Sequence, residues 1–256
     1  MLGLPWANHW NYLWKDPSQG DRGSPDLFPP RGGSEQMRSE VARLREAGVY
    51  TVPYFLSSAL DVKSPQYAEW DMEPVLVRGG ESRYALGNPN TPYIWVYHGG
   101  TEREVRFAWP CPHLDFWPKK AEDIVQRIME LGVTGVYLDT TTGNAYQCFS
   151  QDHGHPVGGG NYWAQGVRRY LKRIRAAVKE GNPEGIMTGE NPCEIYIDLM
   201  DGFLLYVAHF PTSVPAFQAI YGDYIGTYGQ FLSSPAKIGD GFSHAAFPMA
   251  RFVLSG

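Results

Sequence analysis

A short apolar run that ends in a carboxylate, Gly135-Val136-Tyr137-Leu138-Asp139, is the feature that most constrains the fold of this chain. It follows an amphipathic segment and a glycine break, and a polar loop comes after it. Such a run is typical of a buried strand in a parallel sheet. The segment 185–190 repeats the pattern and ends in Glu190. An isolated acid at a strand end can also be a helix cap or a solvated loop residue, but two such strands favour a site at one edge of an α/β sheet.

The alternation of apolar runs and amphipathic segments predicts a single domain over residues 1–256, with the fold of a (β/α)8 TIM-type barrel. No sequence remains for an eighth strand, so we expect a fragment that lacks the last strand. A β-rich insertion is expected around 70–104, where short apolar runs are separated by Gly and Pro. Strands are predicted at 2–10, 49–55, 105–109, 135–139, 186–190, 201–207 and 216–228, and helices at 34–47, 117–131, 162–179 and 243–254.

Composition excludes several classes of function. The net charge of −5 gives no basic surface for nucleic acid. No run of eighteen apolar residues is present, so no membrane span is predicted, and the first five residues lack the features of a signal peptide. The three cysteines, Cys111, Cys148 and Cys193, are odd in number and far apart, which favours neither a disulfide framework nor a paired zinc motif.

The segment 140–161 is a long polar loop that contains Cys148, His153, His155 and a Gly triplet at 158–160. One cysteine and two histidines raise the question of a metal, but their spacing matches no zinc pattern and a fourth ligand is missing. The sequence therefore predicts a loop that faces the substrate, with no metal and no other cofactor.

Two carboxylates at the tips of neighbouring parallel strands can lie a few ångströms apart. A pair roughly 5 Å apart is the arrangement of retaining glycosidases. Asp139 is then the nucleophile, and Glu190, which has the longer side chain, is the acid/base. The two roles require different pKa values, so one carboxyl must be kept protonated by burial or by its charged neighbour.

The chain resembles a family of glycoside-hydrolase-like barrels. The resemblance rests on 135–139, the loop Cys148-x4-His153-Gly154-His155-Pro156 with its Gly triplet, Tyr162-Trp163 and Gly189-Glu190. That family is described mainly as a domain of unknown function in bacterial proteins and is related to endo-α-N-acetylgalactosaminidases and α-amylase-like barrels. The resemblance implies Asp139 as nucleophile and Glu190 as acid/base. It also implies an acid after the seventh strand that stabilises the transition state, for which Asp223 is the candidate, although Gly222 stands where a histidine is often found.

We expect a carbohydrate substrate and a pocket lined by polar and aromatic residues of the loops and strand ends. The candidates are Asn8, His9, Trp109, Tyr137, His153, His155, Trp163 and Tyr206. Trp109 fits the hydrophobic core equally well. Two alternatives stay open: a carbohydrate-binding barrel without activity, and a metal-dependent sugar isomerase or lyase that uses Asp139, Glu190, His153 and His155.

Overall fold

Six parallel strands form the main sheet of the computed structural model, which describes residues 6–9, 25, 26, 28–79, 90–97, 105–204 and 216–228. The strands lie side by side in the order β1-β2-β6-β7-β8-β9, and every neighbouring pair is parallel. Their bounds are β1 Trp6–His9, β2 Tyr50–Leu56, β6 Gly135–Asp139, β7 Ile186–Glu190, β8 Gly202–Leu204 and β9 Gly226–Tyr228.

The spatial order of these strands follows their order along the chain. A doubly wound sheet would reverse direction at a switch point, so the sequential order is that of a barrel wall. Within the described ranges no pairing between β9 and β1 closes the sheet. The α/β class and the parallel sheet are therefore confirmed, while a closed barrel stays a prediction.

Two amphipathic helices, α3 Phe116–Met129 and α4 Tyr162–Gly181, pack against each other and against the sheet. Each lies within two residues of its prediction. The apolar positions recur every three or four residues, so one face of each helix is buried. The segment before α3 passes close to α4, because a Cβ at Gly166 would lie 2.4 Å from the carbonyl oxygen of Pro112.

The remaining helices are shorter or more exposed. Helix α1 covers Ser34–Glu46 and begins one residue after Gly33, which occupies the cap position predicted for Ser34. Helices α2 and α5 cover Pro65–Glu69 and Ala216–Tyr221, and 3-10 helices cover Glu73–Val75 and Glu194–Leu199. No helix in the described part of the chain is long and apolar enough to span a membrane.

A separate antiparallel sheet of three strands corrects the prediction for 105–109. Strand β5, Val105–Ala108, lies between β3, Leu60–Asp61, and β4, Ile94–Tyr97. It is therefore not a barrel strand, and β2 pairs directly with β6. A run of four residues carries no signal for parallel or antiparallel pairing. The β-rich insertion is real and extends to Ala108.

The C-terminal predictions have mixed outcomes. The segment 216–228 contains α5 as well as β9, so only its last three residues form a strand. The end of the predicted sixth strand, 205–207, and the helix predicted at 243–254 lie outside the described residues.

Candidate active site

Asp139 and Glu190 lie next to each other at the C-terminal edge of the parallel sheet. Leu138 of β6 pairs with Gly189 of β7, so the following residue on each strand is the carboxylate. Because side chains alternate between the faces of a strand, two acids at equivalent positions point to the same side of the sheet. Both carboxylate residues are partly exposed. The local pattern, apolar run then acid, thus brings the two predicted groups together.

Each carboxylate accepts hydrogen bonds from the surrounding strand ends. The hydroxyl of Tyr54 on β2 donates to Oδ2 of Asp139 at 2.6 Å. The backbone N–H of Thr140 donates to Oε2 of Glu190 at 3.2 Å. Tyr137, two residues before Asp139 and almost fully buried, contributes another side-chain hydrogen bond to Asp139. Asp139 is therefore surrounded by donors, which favour its charged form.

The two carboxyl groups interact directly, and this separates their protonation states. Burial, the negative charge of Asp139 and a hydrogen bond with it raise the pKa of Glu190 to about 8. Burial also raises the pKa of Asp139, but hydrogen bonds from Tyr54, Glu190, Thr140 and Tyr137 oppose that rise. Two adjacent carboxyl groups repel each other when both are charged, so the pair is most stable with a single negative charge. Because its pKa is about 8, Glu190 is the member that keeps the proton at neutral pH.

Both strands leave the sheet through a strained backbone position. Thr140 and Asn191, the residues directly after the two carboxylates, have φ angles of 62° and 61°. A β-branched residue is rarely found in this left-handed region, and such positions cluster at functional sites. The hydroxyl of Thr142 donates to the carbonyls of Glu190 and Asn191, and so joins the two exits. The loop conformation after each acid is therefore fixed by its neighbour.

Ser57 links these exits to the two packed helices. Its hydroxyl donates to the carbonyl of Asp139 at 2.8 Å. Its own carbonyl accepts from Nε1 of Trp117 on α3 at 2.8 Å and from the hydroxyl of Tyr170 on α4 at 2.7 Å. Through Ser57, the two helices therefore help to fix the position of the Asp139 backbone. Tyr54 and Ser57 were not predictable from the sequence, because neither belongs to a motif; only the pairing of β2 with β6 identifies them.

The two tryptophans of the predicted sugar pocket lie in the interior. Trp109 is 1% exposed, and its ring packs against Tyr93 and Tyr146. Trp163 is 9% exposed and donates from Nε1 to the carbonyl of Asn144 at 3.0 Å. Both line a small cavity of about 20 Å³. Of the two placements considered for Trp109, the structure favours the core.

His153 and His155 hydrogen-bond to backbone carbonyls and group with cysteines rather than with the two acids. Nε2 of His153 lies 2.9 Å from the carbonyl of Pro74, and Nδ1 of His155 lies 2.9 Å from the carbonyl of Pro156. Both histidines are buried beside the two buried cysteines, and one ligand atom from each of these four residues falls within 4.8 Å of every other: Cys111, Cys148, His153 and His155. The prediction that a fourth possible ligand is missing is therefore wrong, because Cys111 joins the other three from outside the loop. The four residues of the isomerase alternative are accordingly split between two places in the fold.

The other candidates are not brought to the carboxylate pair. Asp223 lies exposed in the turn that precedes β9, at the opposite end of the strands, so the prediction that it follows a strand is wrong. The helix α5 takes up the residues that were expected to form that strand. Asn8 and His9 end β1, whose backbone pairs with β2, but their side chains lie outside the described part. Tyr206 lies outside the described residues.

Comparisons with known proteins can now be set against this geometry. A family model described as "Domain of unknown function (DUF6259)" matches residues 1–232. The chain belongs to this family. The predicted resemblance to a glycoside-hydrolase-like family described as a domain of unknown function is thereby confirmed.

Two curated relatives carry names of glycosidases. A Monosiga brevicollis protein named "Putative glycoside hydrolase 22789" is 29% identical over 89% of this chain and 20% of its own length. A Bacteroides thetaiotaomicron protein named "Putative glycoside hydrolase" is 28% identical over 91% of this chain and 32% of its own length. The chain thus spans between a fifth and a third of the length of these relatives.

Among solved structures, the α-N-acetylgalactosaminidase NagBb of Bifidobacterium bifidum in its GalNAc complex matches with a TM-score of 0.56. The match covers 92% of this chain and 36% of the other, at 16% identity. At that identity the likeness shows a shared fold alone.

Proposed function

We propose that this chain is the catalytic domain of a retaining glycoside hydrolase, in which Asp139 is the nucleophile and Glu190 the acid/base. The observation that carries the proposal is the pair of interacting carboxyls, with the pKa of Glu190 raised to about 8 beside an Asp139 surrounded by donors. One protonated and one charged carboxyl are the two species that the first chemical step requires. The names of both curated relatives point to the same class of reaction.

The closeness of the pair supports retention rather than inversion. Inverting enzymes hold their carboxyls about 6.5–9.5 Å apart, which leaves room for a water molecule between the acid and the sugar. The charge of Asp139 and a hydrogen bond with it both raise the pKa of Glu190, which supports a separation shorter than that of inverting pairs. We expect the pair to separate slightly when a sugar ring enters, towards the roughly 5 Å of retaining enzymes.

The first step forms a glycosyl-enzyme. Protonated Glu190 gives its proton to the glycosidic oxygen as the bond from that oxygen to the anomeric carbon breaks. Asp139 attacks the same carbon, and its oxygen forms the covalent bond. The leaving group departs as a neutral alcohol, and Glu190 is left as a carboxylate.

The second step returns the enzyme to its starting state. Glu190, now a base, takes a proton from water while the water oxygen attacks the anomeric carbon and the bond to Asp139 breaks. The donors around Asp139 stabilise the carboxylate that leaves. Two inversions at one carbon give net retention of configuration.

The proposed substrate is a carbohydrate with an O-glycosidic bond. The domain shares its fold with an α-N-acetylgalactosaminidase that has been solved with GalNAc bound. A panel of aryl glycosides that includes α-linked GalNAc is therefore the first substrate set to test.

The decisive experiment uses the full-length protein with Asp139→Ala and Glu190→Ala. Asp139→Ala should abolish turnover of every substrate, because both steps need the nucleophile. Glu190→Ala should slow natural glycosides by about 10²- to 10⁴-fold, yet spare the first step for an aryl glycoside whose leaving group needs little protonation. Glu184→Gln is the matched control, since Glu184 is exposed just before the opposite end of the same strand.

Added azide tests the two roles independently. In the Glu190 variant, azide should attack the glycosyl-enzyme and give a glycosyl azide with retained configuration. In the Asp139 variant, azide should replace the nucleophile and give the inverted product. Nuclear magnetic resonance of the anomeric proton distinguishes them. Reversed configurations would contradict the role assignment, and saccharide binding without turnover by the wild type would identify a carbohydrate-binding barrel instead.

A further inference from the structure

Four buried side chains outside the carboxylate site form a cluster with the donor set of a metal centre. Cys111, Cys148, His153 and His155 are each at least nine-tenths buried, with exposures of 0%, 0%, 4% and 8%. One ligand atom of each lies within 4.8 Å of all the others. From this geometry we propose that the cluster binds a structural Zn²⁺ ion with Cys2His2 coordination.

The distances within the cluster fit a tetrahedral ion. With Zn–S near 2.3 Å and Zn–N near 2.0 Å, neighbouring ligand atoms of a tetrahedral site are separated by about 3.3–3.8 Å. Sγ of Cys148 and Nδ1 of His153 lie 3.4 Å apart, inside that range. The upper bound of 4.8 Å for the whole set requires a contraction of about 1.5 Å at most.

The hydrogen bonds of both imidazoles select the tautomer that a metal needs. Nε2–H of His153 donates to the carbonyl of Pro74 at 2.9 Å, so its Nδ1 carries a lone pair towards Cys148. Nδ1–H of His155 donates to the carbonyl of Pro156 at 2.9 Å, so its Nε2 carries the lone pair. Metal-bound histidines almost always donate their other N–H in this way.

One of these lone pairs is otherwise unused. Nε2 of His155 is buried, and within the described residues it has no hydrogen-bond partner. A buried polar atom without a partner costs stability and calls for an explanation. A metal ion at the centre of the cluster provides one, since Nε2 is the atom of His155 that is left to bind it.

The surroundings support the sulfur ligands as well. The backbone N–H of Arg78 donates to Sγ of Cys148 at 3.4 Å. The ring of Tyr162 stacks on His155 with centroids 3.9 Å apart and an interplanar angle of 3°, which fixes the imidazole plane. When Zn²⁺ binds, each cysteine loses its thiol proton to solvent, and the two thiolates balance the charge of the ion. The buried site is then neutral, which removes the main cost of burying a metal.

Four protein ligands leave no open position for water, so the ion is structural rather than catalytic. Cys111 follows the antiparallel sheet, whereas the other three ligands belong to the loop 140–161 that leaves β6 just after Asp139. That loop contains neither helix nor strand. A loop of such length needs its own tether to hold one conformation. The ion would supply it, by joining the loop to the insertion.

Metal content of the full-length protein, purified after growth with added zinc, tests this directly. We expect about one zinc ion per chain by inductively coupled plasma mass spectrometry, because the four ligands form one site. Cys148→Ser and His155→Gln should each lose most of the metal, whereas Cys193→Ser and His113→Gln should keep it. Cys193 lies apart from the cluster, and His113 packs edge-on against His155 without belonging to the four.

Replacement of zinc by cobalt tests for thiolate ligands in the wild-type protein, so this test does not depend on a variant that folds well. Wild-type protein loaded with Co²⁺ should show the intense visible bands of a tetrahedral site and a thiolate charge-transfer band, which Cys111→Ser should reduce. Removal of the metal should open the loop 140–161 to proteolysis. Wild-type protein without stoichiometric zinc, or with Cys111 and Cys148 protected from alkylation by a disulfide, would overturn the proposal.

Discussion

At the scale of single residues, Tyr54 is the side chain whose effect on the chemistry can be isolated most cleanly. Its hydroxyl lies 2.6 Å from Oδ2 of Asp139 and helps to keep that carboxyl charged. Tyr54→Phe should raise the pKa of Asp139 and lower kcat/KM by roughly 10- to 100-fold, the value of one hydrogen bond to a charged group. Tyr50→Phe, at the exposed start of the same strand, is the control. An unchanged rate for Tyr54→Phe would exclude the proposed stabilisation of Asp139.

The raised pKa of Glu190 predicts how the activity falls at alkaline pH. The acid must be protonated for the first step, and its pKa is raised to about 8. We expect kcat/KM for a natural glycoside to fall about tenfold per pH unit above that value. With an activated aryl glycoside the same limb should be absent, because its leaving group departs without protonation. If both substrates lose activity alike, another group causes the fall.

The residue scale also shows what the sequence could not provide. Asp139 and Glu190 were predictable because each ends a local apolar run. The fourth member of the Cys–His cluster was not, since Cys111 lies on another segment and no short spacing connects it to the loop. Tyr54 stands in the middle of an apolar strand, and it becomes a donor to Asp139 only through the register that pairs it with Tyr137. Contacts between distant segments decide all of these roles.

At the scale of elements, the close approach of β6 to β7 requires a glycine at position 135. A Cβ at Gly135 would lie 1.9 Å from the carbonyl oxygen of Ile186 on the neighbouring strand. Gly135→Ala should therefore shift the backbone and lower the free energy of unfolding by at least about 2 kcal/mol. Gly159→Ala is the matched control, because a Cβ there has no atom within 4 Å. Denaturant unfolding measures both; equal stability of the two variants would contradict the predicted close approach.

The two long helices were predictable from sequence, whereas the pairing of the short strand β5 was not. The long periodic patterns of α3 and α4 predict their ends to within two residues, because a 3.6-residue period over four or more turns is a strong signal. Strand β5 is four residues long, and its apolar pattern is the same in either kind of sheet. Its place in the antiparallel sheet is set by β3 and β4, which a local pattern does not reveal.

At the scale of the whole molecule, the chain order of the strands determines where chemistry can occur. Each parallel crossover returns the chain to the same edge, so acids that lie far apart in sequence meet at adjacent strand tips. The proposed zinc site lies on the insertion and loop beyond that edge. One part of the fold therefore holds the proposed catalytic carboxyls, while the proposed zinc site would hold the loop that follows Asp139.

The stability of the whole domain should depend on pH through the raised pKa of its acid pair. Glu190 has an ordinary pKa of 4.5 and a pKa of about 8 in the folded state. Between these values the folded state binds the proton that the unfolded state has released, so the free energy of unfolding must fall as the pH rises from about 4.5 to about 8 and then level off. Glu190→Gln removes this proton, and the variant should lose most of that slope and be more stable than the wild type at pH 9. Burial raises the pKa of Asp139 as well, so a slope from Asp139 remains in the variant. Denaturant unfolding of both proteins at several pH values measures the difference, in which the other titrating groups cancel. Parallel curves for the two proteins would show that Glu190 ionises normally in the folded domain, and would remove the physical basis for its role as the acid.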